Sequence, residues 1–232
     1  MIIFAVGSSS SLATETLHEL SKKYKIYATY NTTKPKKILF NKNIKFLKLD
    51  LASKKINFLL SSFFKKNKIE KEKIILLNFA VYKKNELLIN EKEKSIKKNI
   101  DININANISL IKFFLPLMIK NYFGRIVHFS STKVLEGEVG TILYSASKSF
   151  LNGLSASLAT EYGKFNITSN ILSLGYFKSN LWQAIPNKIK KERLKDIPSR
   201  KLGSIKNISN AIEFIINSEY VNKSIIKIDG GI

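Results

Sequence analysis

Short apolar runs alternate with helix-spaced segments along the whole chain, and few folds accept that order. Ile2–Val6, Lys25–Tyr30, Ile44–Leu49, Lys73–Phe79, Arg125–Ser130, Thr168–Ser173 and Ser224–Ile228 read as strands. Between them, Ala13–Lys23, Ile56–Lys66, Glu93–Asn121, Tyr144–Tyr162 and Ile208–Ile216 read as helices. In the fourth of these, apolar positions recur at Phe150, Leu151, Leu154 and Leu158. The alternation predicts parallel pairing through right-handed crossovers, hence one doubly wound α/β sheet with helices on both faces. Asn170–Leu174 and Ile225–Ile228 are apolar on both faces, which predicts central strands. No repeat or linker divides the chain, so residues 1–232 are expected to form a single domain. Residues 178–201 are polar and contain Pro186 and Pro198, so they read as a mobile lid over the functional edge of the sheet.

The 232 residues are 44% hydrophobic, enough for a packed core. Residues 1–6 lack a basic flank and end too early for a secretory signal. The longest apolar stretch, Ile108–Ile119, is interrupted by Ser109, Lys112 and Pro116, so no membrane span is expected. The absence of cysteine excludes disulfides and thiolate metal sites. A soluble cytoplasmic protein is the simplest reading. The formal net charge of +22 invites a nucleic-acid partner. Its make-up argues otherwise. All but Arg125, Arg193 and Arg200 of the 39 basic residues are lysines, spread along the chain. Nucleic-acid sites favour arginine forks and interleaved aromatics, so a solvated lysine surface is expected instead.

In doubly wound sheets a nucleotide lies beyond the carboxyl end of the first strand. Here that end reads Gly7, Ser8, Ser9, Ser10, Ser11, Leu12. Small residues let the backbone approach a pyrophosphate, whose charge meets the helix N-terminus. Taken alone, a serine-rich turn capping a helix reads the same way. The second strand leads into Tyr30, Asn31 and Thr32, with no acid to bind a ribose 2′-hydroxyl. Lys34, Lys36 and Lys37 follow and can neutralise a 2′-phosphate. NADP(H) is therefore the favoured cofactor, with NAD(H) possible.

Tyr144 and Lys148 are four residues apart at the start of a strong helix, so they share one face. A nearby ammonium is expected to lower the phenol pKa and let Tyr144 exchange a proton with a substrate oxygen. Chance can supply such a pair in a lysine-rich chain. The context strengthens it. Ser130 and Ser131 end a strand thirteen residues earlier, where a hydroxyl can bond the same oxygen. Asn103 lies within an apolar helix and needs a partner, such as a water linking Lys148 to solvent.

Together these segments resemble the short-chain dehydrogenase/reductase (SDR) family, a Rossmann-type fold, and most of all its 3-oxoacyl-[acyl-carrier-protein] reductase-like members. The resemblance runs the full length. Gly7 to Ala13 is similar to the glycine-rich loop, and Asp50-Leu51 to the pair that holds adenine. Asn78-Phe79-Ala80-Val81 resembles the family's Asn-Asn-Ala-Gly segment. Asn103, Ser131, Tyr144 and Lys148 match the catalytic four in order and spacing. Asn170 to Gly175 resembles the segment ending in Pro-Gly, and Ser179 stands where a Thr contacts the nicotinamide amide. Ile197-Pro198-Ser199-Arg200 and Ile228-Asp229-Gly230-Gly231 also match. The resemblance implies that Tyr144 protonates a carbonyl oxygen as hydride arrives and that Ser131 orients that oxygen. It implies that Lys148 binds the nicotinamide ribose and depresses the Tyr144 pKa, and that Asn103 completes a proton relay. Gly175 to Phe177 would border the nicotinamide. The substrate would be a small or carrier-bound carbonyl compound, either an acyl chain on a carrier or a sugar or lipid intermediate. The departures are Val6 for Thr, Ser11 and Ala13 for glycines, Phe79 for Asn, Val81 for Gly and Leu174 for Pro.

His18 and His128 lack neighbours at ligand spacing and read as packing or surface residues, so no metal is expected. Leu181, Trp182 and Ile185 read equally as lid or packing. Lys188, Lys190, Lys191 and Arg193 read as a solvated helix face, the alternative being a dock for an acidic carrier or a phosphorylated substrate. The helices around Asn103–Met118 and Tyr144–Leu158 are too apolar for free outer faces, and because the family that the chain resembles buries similar helices in dimer and tetramer interfaces, the resemblance implies a homodimer or homotetramer. The competing reading keeps the fold without chemistry, as a cofactor-sensing or partner-binding protein.

Overall fold

Seven parallel strands form one sheet: β1 (Ile2–Val6), β2 (Lys25–Tyr30), β3 (Ile44–Lys48), β4 (Ile74–Asn78), β5 (Gly124–Ser131), β6 (Ile167–Leu174) and β7 (Ile225–Ile228). Their order is β3-β2-β1-β4-β5-β6-β7. The computed structural model describes residues 1–183 and 185–232, without the side chains of Lys133, Leu135, Asn180 and Leu181. Every residue of β1, β4 and β6 is buried, as expected for strands covered on both faces. β7 departs from the sequence expectation of a central strand. It is an edge strand with β6 as its neighbour, and Ile225 is 55% exposed. Apolarity on both faces did not distinguish an edge from the centre there.

The helices are α1 (Ser11–Leu20), α2 (Ile56–Asn67), α3 (Glu93–Ile100), α4 (Ala106–Lys120), α5 (Lys133–Glu136), α6 (Ile142–Tyr162), α7 (Asn180–Gln183), α8 (Asn187–Asp196) and α9 (Ile205–Asn217). On one face of the sheet, Leu17 and Leu20 of α1 and Ile212 and Ile216 of α9 pack over Ile3, Val127 and Leu172. On the other, α2, α4 and α6 build a core with Phe4, Phe64 and Phe114 at its centre. Those three rings lie 4.9–5.5 Å apart in tilted and edge-on contacts, the arrangement that aromatic quadrupoles favour.

Glu93–Asn121 was expected as one uniform helix. The run does continue from Glu93 to Lys120, but a π turn at Asp101–Asn105 joins α3 to α4. By length and composition alone this run is apolar enough to cross a membrane. Its Leu110, Phe114 and Met118 instead lie buried in the core of the domain. Residues 178–201 were expected to be irregular, yet they contain α7 and α8. α8 has no buried residue, so it carries no apolar stripe by which its sequence would announce a helix.

The chain leaves β1 toward β2 and β3, then returns to the other side of β1 at β4. This reversal opens a crevice at the carboxyl edge of the sheet, the usual position of a ligand in such folds.

Candidate active site

The site residues taken from strand ends all meet at that edge. Gly7 follows β1, Asn31 follows β2, Asp50 lies just beyond β3, Phe79 follows β4, Ser131 closes β5 and Gly175 follows β6. Gly7 has φ +82°, and a Cβ there would lie 2.7 Å from the Ala80 backbone. Only glycine suits that position. The Gly7 amide donates to the Thr29 hydroxyl at 3.2 Å. The serines that follow bond to nearby main-chain groups. Ser8 is buried and donates to the Thr29 carbonyl at 2.8 Å, and Ser9 donates to the Thr33 carbonyl at 2.7 Å. Ser10 caps α1 by accepting from the Ala13 amide at 3.2 Å. A tight loop must satisfy its own polar groups, and these side chains serve that end. The positive end of α1 then opens at Ser11, beside half-buried Leu12. Ala13 is fully buried, so its methyl group is accommodated in the core.

Around the crevice, Asn31 donates to the Asp50 carboxylate at 3.3 Å, which ties Tyr30-Asn31-Thr32 to the turn after β3. Leu51 is half-buried against the core. Lys34, Lys36 and Lys37 are exposed just beyond β2. Asn78 accepts from the Ala80 amide at 3.1 Å. Phe79 stacks on Phe129 with ring centroids 4.1 Å apart and planes at 21°. Gly175 approaches Asp229 so closely that a Cβ would lie 2.7 Å from the Asp229 Cα. Phe177 is buried beside Gly203. Ser179 accepts from the Trp182 amide at 3.3 Å at the start of α7. Trp182 packs 5.5 Å from Tyr176, which favours its packing reading over a free lid contact. The Leu181 side chain lies outside the described residues.

Tyr144 and Lys148 sit in the first two turns of α6, against the end of β5. Ser131 closes β5 beside Tyr144 and favours its phenolate. Lys148 is 9% exposed, and its ammonium donates to the Phe129 carbonyl at 2.6 Å. That ammonium lies 5.9 Å from the Tyr144 ring centroid. Burial pulls the Lys148 pKa down to about 8. The expected depression of the Tyr144 pKa is absent. Burial raises it, Glu138 adds to the rise, and Ser131 only partly opposes them. With its bond directed at Phe129, Lys148 does not counter the loss of solvent.

Asn103 is not free to hold a relay water through its side chain. Its Oδ1 accepts from the Tyr82 amide at 2.8 Å, and its Nδ2 donates to the Tyr82 carbonyl at 2.9 Å and to Ser147 Oγ at 3.2 Å. Its main-chain carbonyl accepts from Asn107 at 2.7 Å.

Sequence reasoning missed Lys83 and Asn107, and it reads His128 only as a packing or surface residue. Lys83 lies 4.9 Å from the Tyr144 ring centroid on the solvent side. His128 is buried beneath α6 and bonded to Ser169 at 3.3 Å, with its pKa pulled down to about 4 by burial and then by Lys148. Asn107 is 5% exposed among apolar side chains. Buried polar residues on core-facing positions were the available signal for the last two. Among the described residues, no three His, Asp or Glu side chains cluster as metal ligands would.

The crevice fits a nicotinamide dinucleotide. The N-terminus of α1 lies at the carboxyl edge, where its amides can meet a pyrophosphate, and Ser131, Tyr144 and Lys148 sit at the same edge. A family model described as enoyl-(acyl carrier protein) reductase matches residues 21–232. A 3-oxoacyl-[acyl-carrier-protein] reductase FabG of Buchnera aphidicola subsp. Schizaphis graminum is 35% identical over 159 residues, 68% of this chain. That match spans 65% of the length of the Buchnera protein. The FabG of Rickettsia bellii is 32% identical over 165 residues, 70% of this chain and 68% of its own length. Among solved structures, ElxO with NADP bound superposes with a TM-score of 0.85 at 25% identity, covering 98% of this chain and 96% of its own. The sheet order, the crevice and these matches agree: this chain belongs to the NAD(P)-dependent short-chain dehydrogenase/reductase family.

Proposed function

We propose that this chain is an NADP(H)-dependent reductase converting a carbonyl to an alcohol, with a carrier-linked 3-oxoacyl thioester as the favoured substrate class. The observation that carries the reading is the placement of Ser131, at the end of β5, beside Tyr144 and Lys148 on the first two turns of α6, at the edge of the nucleotide crevice. The FabG relatives support the thioester class, and the NADP-bound ElxO structure supports the cofactor. The lysines after β2 and the lack of an acid on Tyr30-Asn31-Thr32 favour NADP(H) over NAD(H).

In this reading Gly7 to Leu12 hold the pyrophosphate, Tyr30 to Thr32 the ribose, and Asp50 and Leu51 the adenine. Asn78 to Ala80, Gly175, Phe177 and Ser179 border the nicotinamide. The bound cofactor supplies hydride to the carbonyl carbon. Tyr144 gives the proton to the carbonyl oxygen. Its raised pKa suits that direction, because the phenol keeps its proton at neutral pH. Ser131 orients the substrate oxygen with its own hydroxyl, beside Tyr144. Lys148, whose ammonium is held at the Phe129 carbonyl, binds the nicotinamide ribose. Asn103 acts as a brace, fixing the Tyr82 strap and Ser147 of α6.

A homodimer or homotetramer belongs to the same proposal. Ile111, Leu115 and Ile119 of α4 and Leu154 and Tyr162 of α6 line an open apolar groove, and Ile108 beside it is 46% exposed. Activity toward acetoacetyl thioesters, compared with simple ketones and aldehydes, tests the substrate class. A strong preference for the thioester supports it, and a preference for simple ketones overturns it.

A further inference from the structure

A file of buried amides runs from the crevice to the catalytic helix, and one of its members has no counterpart among the residues assigned above. Asn78 Nδ2 donates to Asn107 Oδ1, and Asn107 Nδ2 donates to the Asn103 carbonyl. Asn103 Nδ2 donates to Ser147 Oγ, which donates to the Tyr144 carbonyl at 2.8 Å. At the other end, Asn78 Oδ1 holds the Ala80 amide, and Ala80 is the residue against which Gly7 packs. Asn107 has both ends of its amide engaged and is packed beside Ala106, Leu110 and Ile111. An amide buried among hydrocarbons is costly unless fully bonded, so its presence there calls for a reason. The π turn supplies one. Such turns shift a helix backbone out of register and cluster at functional sites. Asn107 fastens the Asn103 carbonyl within that turn.

We propose that Asn107 is a positioning residue that locks the cofactor-bordering Asn78–Ala80 turn and the Tyr144 end of α6 into one geometry, through Asn78 on one side and Asn103–Ser147 on the other. The inference rests on the reductase reading. Loosening the file should let Tyr144 move away from Ser131, because the start of α6 loses its brace. The charged groups around Tyr144 are Lys148 on α6, Lys83 on the strap after β4, and Glu138, which is paired with Arg193 of α8 at 2.9 Å. None of them is altered by a neutral change at position 107.

The test uses Asn107→Leu, which keeps size and neutrality, and Asn107→Ser as a second variant should the first fail to fold. Tyr144 is followed by ring-¹³C tyrosine NMR, its signal identified with Tyr144→Phe. The expected result is an upward shift of the Tyr144 titration by about half a pH unit or more, because the phenolate loses the favourable influence of Ser131. In turnover, kcat should fall roughly tenfold while the substrate KM moves far less. Ser147→Ala should add little to the Asn107 variant, since both interrupt one file. A Tyr144 titration and kcat unchanged in a folded variant overturn the proposal, whatever the loss in thermal stability. Failure of the wild type to turn over any carbonyl strikes the reductase reading instead, and the NMR titration still decides the role of Asn107.

Discussion

The Lys148 ammonium donates to the main-chain carbonyl of Phe129 at 2.6 Å, at the point where Phe129 stacks on Phe79. A buried ammonium with one neutral acceptor is an expensive arrangement, and the depression of its pKa to about 8 records the cost. The folded-state value lies below the ordinary one of 10.5, so the linked stability is gained as pH rises from about 8 to 10.5 and is absent at neutral pH. Lys148→Met should therefore raise the melting temperature at pH 7, by an equivalent of about 1–2 kcal/mol after the lost hydrogen bond is counted. The same variant should lose about a hundredfold or more in kcat. Thermal unfolding at pH 7 and at pH 10, beside steady-state rates, checks both halves.

His128 predicts an acid-sensitive fold. Its pKa falls from 6.5 to about 4 because the ring is buried, with Lys148 adding repulsion. Protonation is thus easier in the unfolded chain, and stability is lost as pH falls from 6.5 toward 4. The loss amounts to about 3 kcal/mol at the lower end. His128→Leu should flatten the denaturation midpoint across that interval. A wild-type midpoint that holds steady between pH 6.5 and 4 would contradict the burial of a neutral imidazole.

Gly7→Ala should be severe. The added Cβ meets backbone atoms of Ala80 at 2.7 Å, and φ +82° disfavours any side chain. The expected cost is about 2–4 kcal/mol of stability, with loss of NADPH binding, read by urea denaturation and by nucleotide fluorescence. Ser9→Ala, which removes one exposed bond to Thr33, should cost about 1 kcal/mol or less.

The sheet was legible because each strand is an apolar run bounded by polar turns, and all seven were located to within two residues at each end. Tyr144 and Lys148 were legible because spacing of four on a strong helix fixes a shared face. Three things escaped. α8 has no buried face to give it a pattern. β7 looks like a central strand in residue type, because an edge position depends on chain routing and leaves no mark on four residues. Asn107 was hidden among Asn99, Asn103 and Asn105, and only the fold shows that it is buried and bonded at both ends. The Tyr144 pKa went the wrong way for a related reason. Sequence spacing brings Lys148 near the ring, but whether its ammonium faces the phenol or a backbone carbonyl is a matter of three-dimensional packing.

The central claim is that Tyr144 delivers the proton in a nicotinamide-dependent carbonyl reduction. The most direct test is NADPH oxidation at neutral pH with an acetoacetyl thioester, comparing the wild type with Tyr144→Phe, and with NADH in parallel. The account predicts turnover with NADPH, weaker turnover with NADH, and a loss of roughly a hundredfold or more in kcat for Tyr144→Phe with NADPH binding retained. Equal turnover by Tyr144→Phe and the wild type, or NADPH bound by the wild type without reduction of any carbonyl, would contradict it.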